Sequence, residues 1–486
     1  MKKKSIKLNY IFNASYKIFA IIVPLITAPY ISRVLGSDGV GTYSYTFAMV
    51  TYFTMFATLG AGTLGNRIIA MHQEDPVKRS IEFWNIAIFR AVPTVFVTIL
   101  YFVYAIFIAD DKQIALLQSF YLLGVLVDVA WFLQGMEEFR KVAVRNFVIK
   151  IVNVICIFAF VKDRSDLPIY VLCLSLMTVI GNMSIWVYLK KYLVKINIKQ
   201  LNPFKHTKDV LQLFIPTIAC NLYAVVDKTM IGWFSNASEN GYYEQADKII
   251  NMSLLLITSL CGVMLPRIAQ EFAKSNKTAV QDYMHKTYRF IWFLGLPLMM
   301  GIIAVSDVFV PVFFGEGYDK VKILLPVMSC LFIIKGFNDA TGSQYLVATG
   351  QHKKYMNIVI IGGIANIAFN LALIPSLKSL GAAIGSIIGE IVIFVLEFNF
   401  IRRTKQIDIK PIFTTMWKYG ISSIVMLGAL LCCEKILASK IENILTLLLL
   451  IAFGAIVYAV MLLLLKDSLI TDTLKSIIGK LKRSKL

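Results

Sequence analysis

The sequence predicts an all-α polytopic membrane protein with about 14 transmembrane helices, arranged as two six-helix lobes in parallel pseudo-repeat plus a C-terminal helix pair. Three observations predict it. Apolar stretches of about 20 residues, the length that crosses a hydrocarbon core, recur along the whole chain with only short segments between them. The composition is 58% hydrophobic with a mean hydropathy of +0.70, far from that of a soluble domain. With the N-terminus placed inside, 33 of the 49 Lys and Arg fall in inside segments, 9 in outside segments and seven within spans or at a span end. That asymmetry orients a polytopic protein.

In chain order, spans are expected near residues 10–31, 40–65, 81–108, 114–134, 143–161 and 168–189, making a first lobe over 1–189. A basic cytoplasmic linker, 190–209, follows. The second lobe, 210–402, carries spans near 210–234, 241–265, 285–306, 321–347, 355–375 and 381–401. Spans near 413–433 and 443–465, with a basic cytoplasmic tail, complete 403–486. An even number of spans puts both termini in the cytoplasm. The formal net charge of +20 is then mostly topological and calls for no nucleic-acid partner. The apolar run behind Lys2, Lys3 and Lys4 is too long for a signal peptide and lacks a small-residue cleavage site, so it reads as the first span. The seven cysteines fall within or at the ends of spans with no metal-ligand spacing, as small packing residues do. Pro24, Pro29, Pro93, Pro216, Pro297 and Pro326 interrupt apolar runs, a feature tolerated where helices line a cavity.

The two halves match at a fixed offset of 200. Gly41-Thr42-Tyr43 recurs as Gly241-Tyr242-Tyr243, and Gly62 followed by Arg67-Ile68 recurs as Gly262 followed by Arg267-Ile268. The copies bracket the second and eighth spans. An even number of spans lies between them, so both point the same way through the membrane, the parallel type of repeat with its substrate site between the lobes.

No Gly-x-x-x-x-Gly-Lys-Ser/Thr loop is present, which leaves no nucleotide-hydrolysing site, and no His-Glu-x-x-His for zinc hydrolysis. The outside loops are short, which disfavours a membrane polymerase or glycosyltransferase. A non-enzyme without cofactor or metal is expected.

Ionisable groups at membrane depth cost about 2.5–3.5 kcal/mol each on insertion scales, so they face a cavity or a partner. Span 1 carries Asn13, Lys17, Ala20, Pro24 and Thr27 on one helical face, and span 8 carries Glu244, Lys248, Asn251, Thr258 and Gly262 on another. Span 7 adds the adjacent Asp227 and Lys228. A cavity lined by Lys17, Lys228 and Lys248, with Asn251 and Arg90, would attract an anion, and lysine suits phosphate as a point contact. Asp227, Glu244 and Asp128 are candidates for ion coupling or gating, and Glu390 and Glu397 for carrying protons. Each has a plain alternative. Glu244 and Lys248 form an i,i+4 pair on their own helix, Lys17 snorkels to the headgroups, and Asp227 and Lys228 neutralise each other. Lys335 and Asp339 are better read as a structural i,i+4 pair, while Lys150 is uninformative.

The chain resembles the Wzx-type lipid-linked oligosaccharide flippases, in the superfamily that also holds multidrug exporters and the lipid II flippase. The resemblance rests on Arg33-Val34-Leu35-Gly36 with Gly39-Val40-Gly41-Thr42-Tyr43, on Trp131-Phe132-Leu133-Gln134-Gly135 with Glu137, and on Asp227-Lys228-Thr229-Met230-Ile231-Gly232 with Gly241-Tyr242-Tyr243 and Ala246. It implies transfer of an undecaprenyl diphosphate-linked oligosaccharide across the cytoplasmic membrane of a bacterium by alternating access, for capsule, O-antigen or exopolysaccharide. By resemblance Lys17 and Lys248 match basic cavity residues of the lipid II relative, with lysines where that relative favours arginines. A polysaccharide polymerase with chain-length machinery, and membrane lipid, are the implied partners of a monomer. A lipid II-type or multidrug and small-solute antiporter of the same fold is the alternative, and the multidrug or small-solute antiporter predicts a more acidic, aromatic cavity.

Overall fold

The computed structural model describes residues 6–404, 407, 408, 410–437 and 444–471. The side chains of 6–18, 20, 21, 212, 213, 215–224 and 437 lie outside that description. Among the described residues every regular element is helical. Eleven helices are long and apolar enough to cross a membrane, or twelve if the pair Val321–Ser329 and Leu331–Leu346, bent by 41°, is one span. The expected count of about 14 is not reached, for two local reasons. The stretch 10–31 and most of 40–65 form one run, α1 (Ile6–Thr58), and the span expected at 210–234 falls in α9 (Thr207–Phe234), much of which carries undescribed side chains. The break inside α1 is at Gly36, whose φ of 68° and ψ of 178° leave the helical region. A residue with a Cβ is strained there.

The chain divides into two compact units, Met1–Gly241 and Tyr242–Leu486. The first contains α1, α2 (Ala61–Met71), α3 (Pro76–Phe107), α4 (Lys112–Val127), α5 (Ala130–Gly135), α6 (Phe139–Phe160), α7 (Leu167–Ser184), α8 (Trp186–Leu189) and α9. Its core shows why two resemblance motifs are built as they are. Trp131 on α5 stacks on Phe83 at 5.6 Å and lies flat over Gly65 of α2, where a Cβ would come within 2.5 Å of the indole. Gly135 ends α5 against α2, 2.8 Å being all that a Cβ would have to the carbonyl oxygen of Asn66. The Trp-Phe-Leu-Gln-Gly string is thus a close-packed helix crossing.

Gly41 of α1 sits against the start of α10 (Ala237–Ala273). A Cβ on Gly41 would be 1.6 Å from the carbonyl oxygen of Ala237, and one on Gly241 would be 1.9 Å from that of Ser37. Thr229 of α9 donates to the Tyr52 hydroxyl at 3.0 Å, and Gly232 receives the Tyr45 ring.

The segment after α8 is stitched to the N-terminal turns of α3. Arg79 donates to the Tyr192 carbonyl through Nε (3.2 Å) and Nη2 (2.5 Å). Ser80 accepts from Val194 N at 3.0 Å, and Asn85 accepts from Asn202 N at 2.8 Å. Glu82 holds Lys205 and, at 3.0 Å, His206. Arg79, Ser80, Glu82 and Asn85 are all buried, so each of these bonds satisfies a group that would otherwise cost about 1–3 kcal/mol. Tyr192 donates to Glu138 at 2.6 Å and accepts from Lys141 at 2.6 Å. Burial and the Glu138 carboxylate push its hydroxyl above the ordinary tyrosine value.

The second unit contains the remainder of α10, α11 (Lys277–Phe314), α12 (Val321–Ser329), α13 (Leu331–Asn338), α14 (His352–Leu377), α15 (Ser379–Thr404), α16 (Lys410–Thr414), α17 (Met416–Leu437) and α18 (Ile444–Leu464). A π-helical segment, Asp339–Leu346, continues α13. Tyr288, Trp292, Phe337, Phe394 and Phe398 form its aromatic centre. At one end Arg289 donates to the Tyr419 hydroxyl (2.7 Å) and to Asp467 (2.8 Å), and Tyr419 donates to Asp467 at 3.0 Å.

Candidate substrate-binding and ion-coupling residues

In the first unit the structure brings together two residues that the sequence assigned to different tasks. Arg90, on α3, is buried and donates through Nη1 to the Asp128 carbonyl at 2.7 Å, with Nη2 3.4 Å from the Asp128 carboxylate. Asp128 stands where α4 stops and α5 begins, and its other carboxylate oxygen accepts from Ala130 N at 3.0 Å. The pair therefore serves the freed backbone groups of a break within a span, as such breaks require. Asp227 is buried, and Lys228 is half-buried with its carbonyl accepting from the Asn240 side chain at 2.9 Å. Lys17 belongs to α1, but its side chain lies outside the described residues.

In the second unit Lys248 is 3.2 Å from Glu244, one turn away on α10. Asn251 donates to Asp247 at 2.7 Å rather than to the Glu244–Lys248 line. Lys335, which the spacing pairs with Asp339, also lies 3.8 Å from Glu390 of α15. Glu390 accepts from Asn338 at 2.7 Å. Glu397, two turns further along α15, is fully buried and neither of its oxygens meets a hydrogen-bond donor among the described residues. Among the described residues, no three His, Cys, Asp or Glu side chains are grouped to hold a metal ion.

Sequence reasoning missed Arg79 and Glu82, because both read as ordinary charges at the start of a helix. The signal available was the polar row Arg79, Ser80, Glu82 and Asn85 running into an apolar span.

A family model described as polysaccharide biosynthesis protein matches residues 6–272, more than half of the chain. The chain belongs to that family. A provisionally named O-antigen transporter of Escherichia coli K12 is 23% identical over 410 residues, 83% of this chain and 98% of the relative. The capsular polysaccharide biosynthesis protein CapF of Staphylococcus aureus is 21% identical over 408 residues, 81% of this chain and 98% of the relative. Among solved structures, the lipid II flippase MurJ in its inward closed conformation superposes with a TM-score of 0.71 at 17% identity, over 93% of this chain and 98% of that one. An inward-facing multidrug transporter of the MATE family gives 0.62 at 14% identity, over 79% and 98%. The chain is a multi-pass, Wzx-type polysaccharide flippase-type transporter, and its helical fold is the one these structures share.

Proposed function

We propose that the protein moves an undecaprenyl diphosphate-linked oligosaccharide from the inner to the outer leaflet of a bacterial cytoplasmic membrane, by alternating access of two six-helix lobes, 1–189 and 210–402. The observation that carries this reading is the match, along 98% of their lengths, to two relatives named for O-antigen transport and capsule biosynthesis. In this reading Lys17, Lys228 and Lys248 hold the diphosphate as point charges, with Asn251 and Arg90 beside them, and the lipid tail stays in the bilayer. Asp227, Glu244 and Asp128 are the gating or ion-coupling carboxylates. Both termini and the 190–209 linker are cytoplasmic, a monomer suffices, and the product passes to a polysaccharide polymerase with its chain-length machinery.

Electrostatics favours the direction. A diphosphate bearing about two negative charges gains roughly 2.3 kcal/mol per charge per 100 mV when it moves outward across a normally polarised membrane.

The test is export of surface polymer in cells whose own flippase has been deleted. Lys17→Ala, Lys228→Ala and Lys248→Ala should each abolish export at normal protein level. The swap Glu244→Lys with Lys248→Glu should also abolish it, and full export from the swapped variant would reduce Lys248 to a partner of Glu244. Restored resistance to cationic drugs, without polymer export, would instead favour the small-solute antiporter.

A further inference from the structure

The segment that joins α8 to α9 is strapped along the start of α3. It follows the span Arg164–Leu189 directly and ends where α9 begins at Thr207. Tyr192 and Val194 bond Arg79 and Ser80, Asn202 bonds Asn85, and the Phe204 ring packs edge-on against Phe89 at 6.0 Å. The α3 partners of all four contacts are buried, so the course of the strap is fixed.

Its level in the membrane follows from α3. That helix has 32 residues and is about 48 Å long at about 1.5 Å per residue. A hydrocarbon core is about 30 Å thick, and even a tilt of about 40° leaves the helix too long for it. One end must therefore stand in the headgroup layer. The buried row Arg79, Ser80, Glu82 and Asn85 marks that end, and the large apolar side chains exposed between Val92 and Ile108 mark the hydrocarbon beyond it. Trp84, 36% exposed, lies between the two, at the depth that tryptophan prefers. The strap thus runs through the interface, with Phe204 at its apolar edge.

What the strap exposes is apolar and cationic. Ile198 is 81% exposed and Phe204 59%. Residues 190–208 hold six lysines and no Asp or Glu. Lys205 is taken by Glu82. Lys190, Lys191, Lys195, Lys199 and Lys208 are exposed, with no acidic partner among the described residues. Ile198 opens a short helical turn, Ile198–Gln200, in which the Asn197 side chain accepts from Lys199 N at 3.0 Å. An apolar anchor and a cation are therefore held at adjacent positions. Exposed apolar side chains alone would suit a protein partner equally well, but a run of lysines at headgroup depth selects an anionic lipid surface. Apolar insertion and attraction to anionic lipid reinforce each other there, and a backbone already ordered loses little entropy on binding.

We propose that residues 190–208 form an interfacial strap that binds anionic phospholipid headgroups, with Ile198 and Phe204 inserted at the acyl boundary. The surface belongs to the first unit alone and does not rest on what the protein carries.

The experiment uses the full chain, without native cysteines, in nanodiscs of phosphatidylglycerol and phosphatidylcholine in equal amounts. A bimane fluorophore on Gln200→Cys reports on the strap, and one lipid at a time carries bromine on its acyl chains. Brominated phosphatidylglycerol should quench about twofold more than brominated phosphatidylcholine, and salt at about 1 M should cancel the difference. Lys195→Gln with Lys199→Gln should cancel it too, and Lys190→Gln with Lys191→Gln carries the test if that pair folds poorly. Ile198→Ser should weaken quenching by both lipids as the strap lifts. Equal quenching by the two lipids before any lysine is changed overturns the proposal, as does a preference that neither lysine pair reduces. Quenching by neither lipid also overturns it, and would leave the strap open to a protein partner. None of these results bears on polymer export, so the flippase reading stands or falls separately.

Discussion

Gly41 and Gly241, which the sequence pairs at an offset of 200, lie back to back: each faces the carbonyl of a residue four positions before the other, Ala237 and Ser37. Those two residues are themselves 200 apart. The contact is thus reciprocal at backbone level, as expected where a repeated motif packs on its own copy. Neither glycine has a positive φ. Their requirement is space.

A methyl group at either position must push the two helix backbones apart, and overpacking of this kind costs about 1–3 kcal/mol or more when no side chain can yield. Gly41→Ala and Gly241→Ala should each lower the melting temperature of purified protein, whereas Gly262→Ala, which meets nothing within 4 Å, should leave it unchanged. Equal behaviour of all three would refute the close crossing.

The Arg90–Asp128 contact supports a helix break, so its loss should show first in stability. Arg90→Ala strands the Asp128 carbonyl and carboxylate and should cost about 1–3 kcal/mol. Asp128→Asn keeps an acceptor for Ala130 N and should cost less. A thermal double-mutant cycle on the two sites should return a favourable coupling energy. Additive effects would mean that the two groups act independently.

Burial sets the cost at the far end of the second unit. Asp467 is 2% exposed and takes both Arg289 and Tyr419. Removing one partner of a buried ion pair costs about 3–5 kcal/mol, so Asp467→Ala should sharply reduce folded protein recovered from membranes. Arg289→Met with Asp467→Leu should recover much of it. Failure of the apolar pair to do better than the single variant would argue against a purely structural pair.

Membrane orientation can be read from two exposed side chains. In a background without native cysteines, Glu316→Cys should react with an impermeant thiol reagent added to intact cells, and Lys199→Cys should react only after permeabilisation. The reverse pattern would invert the topology inferred from the basic residues.

The segment around Lys199 gives a further expectation. Glu82→Ala removes the shared partner of Lys205 and His206 and should speed backbone hydrogen exchange through residues 194–206. It should leave α14 and α15 unaffected. Uniform exchange across the chain would show that the mutation had unfolded the unit instead.

By itself the sequence determined where the helices lie. Expected spans such as 355–375 and 413–433 fall inside α14 and within α16–α17, because the bilayer demands long apolar runs whose backbone groups bond internally, and that demand is local in sequence. It also disclosed the i,i+4 relation of Glu244 and Lys248, set by helix geometry alone. What it could not decide is which charges meet across helices. Arg90 finds Asp128, Glu82 finds Lys205, and Glu390 finds Lys335 and Asn338 across gaps of many residues. That neither Glu397 oxygen meets a donor among the described residues was equally hidden, since such a lack is defined by what every neighbouring helix presents. Periodicity fixes a side chain's direction on its own helix, but only packing chooses the helix it faces.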